Sequence, residues 1–269
     1  MYSGTTFRDK SGRFMGVHQR IDQLARRDFG KILHQPTDFP KSVDIVHFEG
    51  NNGPDGVKRK SPSVDEPWHY IDPSNPKDHG LVQMILDHHD NLVEALKRED
   101  LVRAAFESAW MAHAITDGLT PAHHYPLSDK IEELWGKPKE ERLTIVDKNF
   151  IQGKTRRETI NKNWEYWGAK GVFATHILFE LGVATTMKPA RFTGTAPDKA
   201  WLDEASAQGL EKVFLRSVQN VYAMDMYQAF WRNGWTTELA LQTRVELIPE
   251  IIRTVTFAWY DAYLEAHQT

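Results

Sequence analysis

Apolar side chains at Val17, Ile21, Leu24, Ala25, Phe29, Ile32 and Leu33 recur at the spacing of one helix face, which predicts an amphipathic helix over 17–33. The same period predicts helices over 79–97 and 99–117, broken near Lys97-Arg98-Glu99-Asp100 into a helical hairpin. A further helix is expected from about Asn161 to Leu181. The last 70 or so residues predict helices over Ala200–Val221, Tyr222–Trp231 and Thr237–Ala266, with Pro249 kinking or splitting the third. Between His34 and about Pro76 the pattern stops, and Pro36, Pro40, Gly50, Gly53, Pro54, Gly56, Pro62, Pro67, Pro73 and Pro76 predict mostly loop. A loop of that length inside a folded domain is more often functional than idle. No run alternates with period two, so the reading is an all-α fold, one compact multi-helix domain over 1–269 with a long loop.

Composition narrows the chemistry. The 269 residues include no cysteine, which removes disulfides, thiolate-held zinc, iron–sulfur clusters and thiol catalysis together. A net charge of −4 offers no basic field to hold duplex nucleic acid. The start, Met1 to Lys10, carries no apolar leader or small-residue cleavage site, and the reading is a soluble, cytoplasmic protein, with secretion the alternative if a signal peptide has been removed. The most apolar stretch, Ala169 to Met187, is interrupted by Lys170, His176 and Glu180 and makes a poor membrane span.

The informative surplus is histidine, 12 in all. His113 and Asp117 stand at i and i+4, so both leave one helix face a turn apart, and Pro121 ends that helix just before His123. His176 and Glu180 repeat the spacing, with Phe173, Ile177, Leu178 and Leu181 around the carboxylate. A carboxylate on a buried face costs several kcal/mol unless it is paired or metal-bound. In the loop, Asp55 follows Gly53-Pro54, and His69 lies between Trp68 and Tyr70. Each pattern alone is what a solvated helix surface also produces. Two such pairs on separate helices of one all-α chain point to a site inside a bundle, and imidazole with carboxylate suits zinc or a similar divalent ion.

The ordered set His18, Asp55, His69, His113, Asp117, His123, His176 and Glu180 resembles the zinc-dependent phospholipase C and single-strand-specific zinc nuclease superfamily, on its phospholipase C side. The likeness spans roughly residues 15–185 and includes the Gly-Pro-Asp context and the proline two before His123. It implies an α-helical domain holding two or three zinc ions. Asp55, His69, His113 and Asp117 would hold one, and His123, His176 and Glu180 a second. Asp117 would bridge to a third, which His18 would also bind. Relatives complete that third site with the amine and carbonyl of an N-terminal Trp, and this chain has none near its start. Processing, replacement by Met1 or a loop, and a weak or absent third metal are the alternatives.

Closely spaced zinc ions acidify a shared water and neutralise phosphoryl oxygens. The resemblance therefore implies hydrolysis of a phosphodiester, of a phospholipid headgroup or of single-stranded nucleic acid, with Asp55 as proton acceptor. A zinc nuclease and a non-catalytic metal-binding helical protein are the alternatives. The remaining residues read more plainly. His88 and His89 read as a solvated polar face, and His124 as support for the site or surface. Arg26-Arg27 reads as solvated, while Lys58-Arg59-Lys60 lies between two proposed ligands and keeps a role toward an anionic substrate open. Trp110, Trp164, Trp167, Trp231 and Trp259 read as core packing, and Trp68 as scaffold or site wall.

Overall fold

The computed structural model describes Met1 and residues 15–34, 38–62, 67–124 and 127–268, without the side chains of residues 127–129 and 131. Among the described residues every regular element is helical. The first helix, α1 (Val17–Ile32), turns Val17, Ile21, Leu24, Ala25 and Phe29 into the core and buries His18, Gln19, Asp22 and Asp28 with them. A helix that buries both kinds of side chain needs a polar destination inside the protein, and that destination is the site below.

The expected loop over 34–76 is partly helical. Residues 35–37 and 63–66 lie outside the described residues, but α2 (Ser42–His47), a 3-10 turn at Gly50–Asn52 and α3 (Pro54–Lys60) occupy much of the rest. Pro54 opens α3, where a missing N–H costs nothing, so the proline that read as a breaker is a helix start. Asp55 therefore sits in the first turn of a helix rather than on a loop.

The hairpin forms as expected from α4 (Gly80–Lys97) and α5 (Leu101–Gly118), with Asp100 capping α5 by accepting from Arg103 N at 2.9 Å. After a 3-10 turn at Pro121–His123 come α6 (Leu127–Trp135) and α7 (Ile145–Asn149). The single helix expected over 161–181 is instead two, α8 (Arg156–Trp167) and α9 (Val172–Met187). The turn between them requires glycine: a Cβ on Gly168 would lie 2.3 Å from Trp164 O, and one on Gly171 would lie 2.5 Å from Tyr166 O.

The C-terminal third also divides more finely. Gly209, at φ +83°, separates α10 (Lys199–Gln208) from α11 (Leu210–Ala223), and α12 (Met226–Asn233) and α13 (Thr237–Gln242) follow. The split expected at Pro249 takes the form of a π-helical segment, Thr243–Leu247, ahead of α14 (Ile248–His267). A wider turn there absorbs the hydrogen bond that the proline cannot make.

α14 packs against α1, α4, α5 and α11 and is the axis of the main core. Trp259 is fully buried on it and donates Nε1–H to Ser108 O at 3.1 Å, and its ring lies 6.0 Å from Phe39. A smaller cluster of Leu134, Trp135, Ile151, Tyr166 and Val172 seats the α8–α9 hairpin. No helix of the described residues is long and apolar enough to cross a membrane.

Several surface readings are corrected. His89 is buried and faces Asp261, and His88 donates from Nδ1 to buried Glu107 at 2.6 Å, so the two are structural rather than a solvated face. Arg27 is committed to Asp28, Phe192 O and Thr195, and Arg26 donates to Pro40 O, so neither is simply solvated. Trp259 is core, but Trp164 is 71% exposed, Trp231 53% and Trp167 40%.

Gly171→Ala is expected to cost about 1–3 kcal/mol, because the new methyl meets backbone that cannot rotate away. A lowered urea midpoint with an unchanged slope would show this, and parental stability would disprove the tight approach.

Candidate metal centre

Asp117 is the point on which the elements converge. It lies one turn below His113 on α5, with its side chain 2% exposed. Its Oδ2 accepts from His69 Nδ1 at 2.5 Å and stands 3.2 Å from His113 Nε2. Its Oδ1 accepts from the Met1 amine at 2.7 Å and stands 3.3 Å from His18 Nε2 and 3.6 Å from His123 Nδ1. Glu180, from α9, is the second centre: its Oε1 lies 2.9 Å from His176 Nε2, 3.1 Å from His123 Nε2 and 3.3 Å from the Met1 amine. Asp55 reaches in from α3, with Oδ1 3.9 Å from His113 Nε2. All eight residues singled out in the sequence thus surround one volume.

Their ligand atoms fall into three groups whose members lie within 4.8 Å of one another: His18, His113 and Asp117; Asp55, His69 and His113; and His123, His176 and Glu180. Five imidazoles and three carboxylates around one volume is a donor set for divalent cations, and these groups could hold metal ions.

Two further observations fit that capacity. His69 Nε2 is buried with no hydrogen-bond partner among the described residues, an arrangement that costs energy unless something else accepts the lone pair. In addition, the opposite ring nitrogens are held. His113 Nδ1 donates to Glu49 at 3.1 Å, and His123 Nδ1 donates to His69 O at 2.6 Å. Donation at Nδ1 fixes the tautomer and leaves Nε2 as a ligand atom, the usual arrangement behind a metal-bound histidine.

Met1 also lies against the cluster: its amine meets Asp117, and its carbonyl accepts from His18 Nε2 at 2.8 Å.

Electrostatics follow from the packing. Burial alone would raise Asp117 and Glu180, but the facing histidines and the Met1 ammonium hold both carboxyls well below their usual range. Burial also drives His69 down to about 3 and His123 to about 4, so both rings are neutral at pH 7 and their lone pairs are available. His113 goes the other way despite burial, because Glu49 and Asp117 favour its cation in the metal-free protein. Burial would lower the Met1 amine, and Asp117, Glu180 and Asp55 overcome this and raise it to about 10.

Two residues of the site escaped the sequence reading. Glu49 is fully buried, and nothing local marks it, because its partner His113 is 64 residues away. Asp22 did leave a signal, standing at i+4 from His18 on α1, the same spacing as the other two pairs. It is buried, and burial together with the Glu49 charge raises its carboxyl well above the usual range. His124 is buried too, and donates from Nε2 to Gly118 O at 2.7 Å, closing the end of α5 rather than facing the cluster. Trp68 packs partly buried against the core with Lys139 Nζ 4.8 Å from its ring.

Compared with known proteins, this chain matches no family model, no curated protein and no solved structure.

Two outcomes are expected. Glu49→Ala should weaken zinc binding about 10–100-fold in chelator competition, because His113 loses the carboxylate that orients it; unchanged affinity would remove Glu49 from the site. The second concerns the Met1 amine, whose pKa rises from 8.0 to about 10 on folding. It stabilises the metal-free fold fully below pH 8, and that contribution is lost as pH rises through 10. Nα-acetylated protein should therefore unfold more readily than the free-amine form at pH 7, with the gap closing by pH 10 to 11. A gap independent of pH would contradict the ion pairs.

Proposed function

We propose that this protein is a zinc-dependent hydrolase of phosphodiesters, on the phospholipase C side of the superfamily its ligand pattern resembles. The observation that carries the reading is the convergence of three His and carboxylate groups around buried Asp117. A cluster of divalent ions in such a cage supplies acidified water and neutralises charge on phosphorus. His123, His176 and Glu180 would hold one ion, Asp55, His69, His113 and Asp117 another, and His18 with Asp117 and Met1 a third.

The protein's own groups divide the remaining work. Asp55 is the carboxylate of the set most open to solvent, 30% exposed against 2% for Asp117 and 11% for Glu180. It is therefore the ligand that a substrate reaches and the base placed to take a proton during attack. Burial would raise its carboxyl, but His113 and His69 overcome this and keep it ionised at pH 7. Lys58, one turn further along α3, brings its Nζ to 5.3 Å from the Tyr70 ring, and that ring lies 5.1 Å from His123. A cation at the edge of the cluster would orient the phosphoryl group and balance its charge.

Zinc-loaded protein is expected to carry two or three zinc ions per chain and to hydrolyse bis-p-nitrophenyl phosphate. Asp55→Asn should lower kcat by about 10²–10⁴-fold while leaving the circular dichroism spectrum unchanged. Protein that takes up no metal after dialysis against excess zinc, or that loads and turns nothing over, would end this reading. Comparison of phosphatidylcholine with single-stranded DNA as substrate separates a phospholipase from a nuclease.

A further inference from the structure

The α8–α9 hairpin carries a surface that the metal centre does not use. On α8, Ile160, Trp164 and Trp167 stand at i, i+4 and i+7 and form one stripe, with exposures of 60%, 71% and 40%. The chain before α8 is tied along it. Trp167 Nε1 donates to Asn149 O at 3.0 Å, Asn163 Nδ2 to Ile151 O at 2.7 Å, and Gly153 N to Thr159 Oγ1 at 2.9 Å. The Trp167 bond ends on the residue before Phe150, whose side chain is 54% exposed. Leaving that much aromatic and aliphatic surface in water is costly, and a contiguous patch of this kind marks an interaction site.

What the patch meets follows from the charges around it. Residues 148–170 contain six basic side chains, at Lys148, Lys154, Arg156, Arg157, Lys162 and Lys170, against two acidic ones, in a chain whose net charge is −4. Arg156 and Arg157 are exposed and have no ion-pair partner among the described residues. Two copies joined through this face would set like charges against each other. Single-stranded nucleic acid would stack on the tryptophans but gain little from Ile160. Tryptophan beside an aliphatic side chain, with Arg156 and Arg157 exposed at the start of the same helix, instead suits the interface of an anionic bilayer, where the rings sit at headgroup level and the cations meet lipid phosphate.

We propose that the α8 face docks this protein onto an anionic phospholipid surface. The position serves the site. The Trp167 ring contacts Phe173 at 4.7 Å, and Phe173 lies one turn before His176 on α9. A surface held there would bring lipid headgroups to the edge of the metal centre. That benefit rests on the proposed hydrolase, whereas docking itself does not.

The test is co-sedimentation of the full chain, zinc-loaded and chelator-treated, with vesicles of equal parts phosphatidylcholine and phosphatidylglycerol. Binding is expected in both states, weaker on pure phosphatidylcholine and at high salt. Trp164→Ala should reduce partitioning about tenfold, from the loss of buried ring surface. The double variant Arg156→Ala/Arg157→Ala should reduce it about fivefold per charge removed. Hydrolysis of soluble bis-p-nitrophenyl phosphate should be unchanged in both variants. Failure to pellet with any vesicle overturns the proposal. So does a dimer that Trp164→Ala dissociates, or retention on single-stranded DNA in place of vesicles. Vesicle binding without phosphodiester hydrolysis would leave docking standing and remove the hydrolase.

Discussion

Asp117 holds a negative charge with its side chain 2% exposed, and an unpaired charge at that depth would cost several kcal/mol. The surrounding architecture is what makes that burial tolerable. α1 brings His18, α5 itself brings His113, the segment before α4 brings His69, and the turn after α5 brings His123. The Met1 amine completes the shell. Each donor comes from a different stretch of chain, so the site forms only when the helices have packed. The cluster in turn constrains how they pack, because displacing any one of these elements would leave a buried charge without its partner.

The supports behind the ligands follow the same logic one layer out. Glu49 holds His113 by the nitrogen that faces away from Asp117, and the His69 carbonyl holds His123 by the nitrogen opposite the one that meets Glu180. Asp22 is buried near Glu49, and burial with that neighbouring charge raises its carboxyl well above the usual range. Among the described residues α14 makes no hydrogen bond or ion pair with the residues of the cluster. It buries Ile251, Val255, Phe257, Ala258 and Trp259 and anchors α1, α4 and α5 from the other side. Stability and chemistry are thus divided between the two faces of α1 and α5.

The α8–α9 hairpin inverts the usual arrangement. On α9 the polar pair His176 and Glu180 is buried, while Ile177, Leu178 and Leu181 are 43%, 49% and 53% exposed. Surrounding apolar residues had made Glu180 look like a carboxylate on a buried apolar face, but the carboxylate is inside and those neighbours are outside. Phe179, Val183 and Met187 are buried on α9 as well, so apolar burial and the polar pair fix its orientation together. The ion pairs of Glu180 with His176, His123 and the Met1 amine offset the cost of burying its carboxylate.

The all-α class and the helices over 17–33, 79–97 and 99–117 were legible in the sequence, because helical periodicity is a local property and these segments carry it for four or more turns. The candidate ligands were legible in two ways. His113 with Asp117 and His176 with Glu180 announce themselves by i, i+4 spacing, and His18, Asp55, His69 and His123 were added by the resemblance of the ordered set to a known superfamily. Division of the 161–181 helix at Gly168 and Gly171 was not legible, since glycine there is dictated by how closely the carbonyls of Trp164 and Tyr166 approach. Nor were Glu49 as the partner of His113, or the outward face of Trp164, and Met1 stood only as one of several alternatives beside Asp117. Those depend on which residues distant in sequence end up adjacent, and only the packing of the helices decides that.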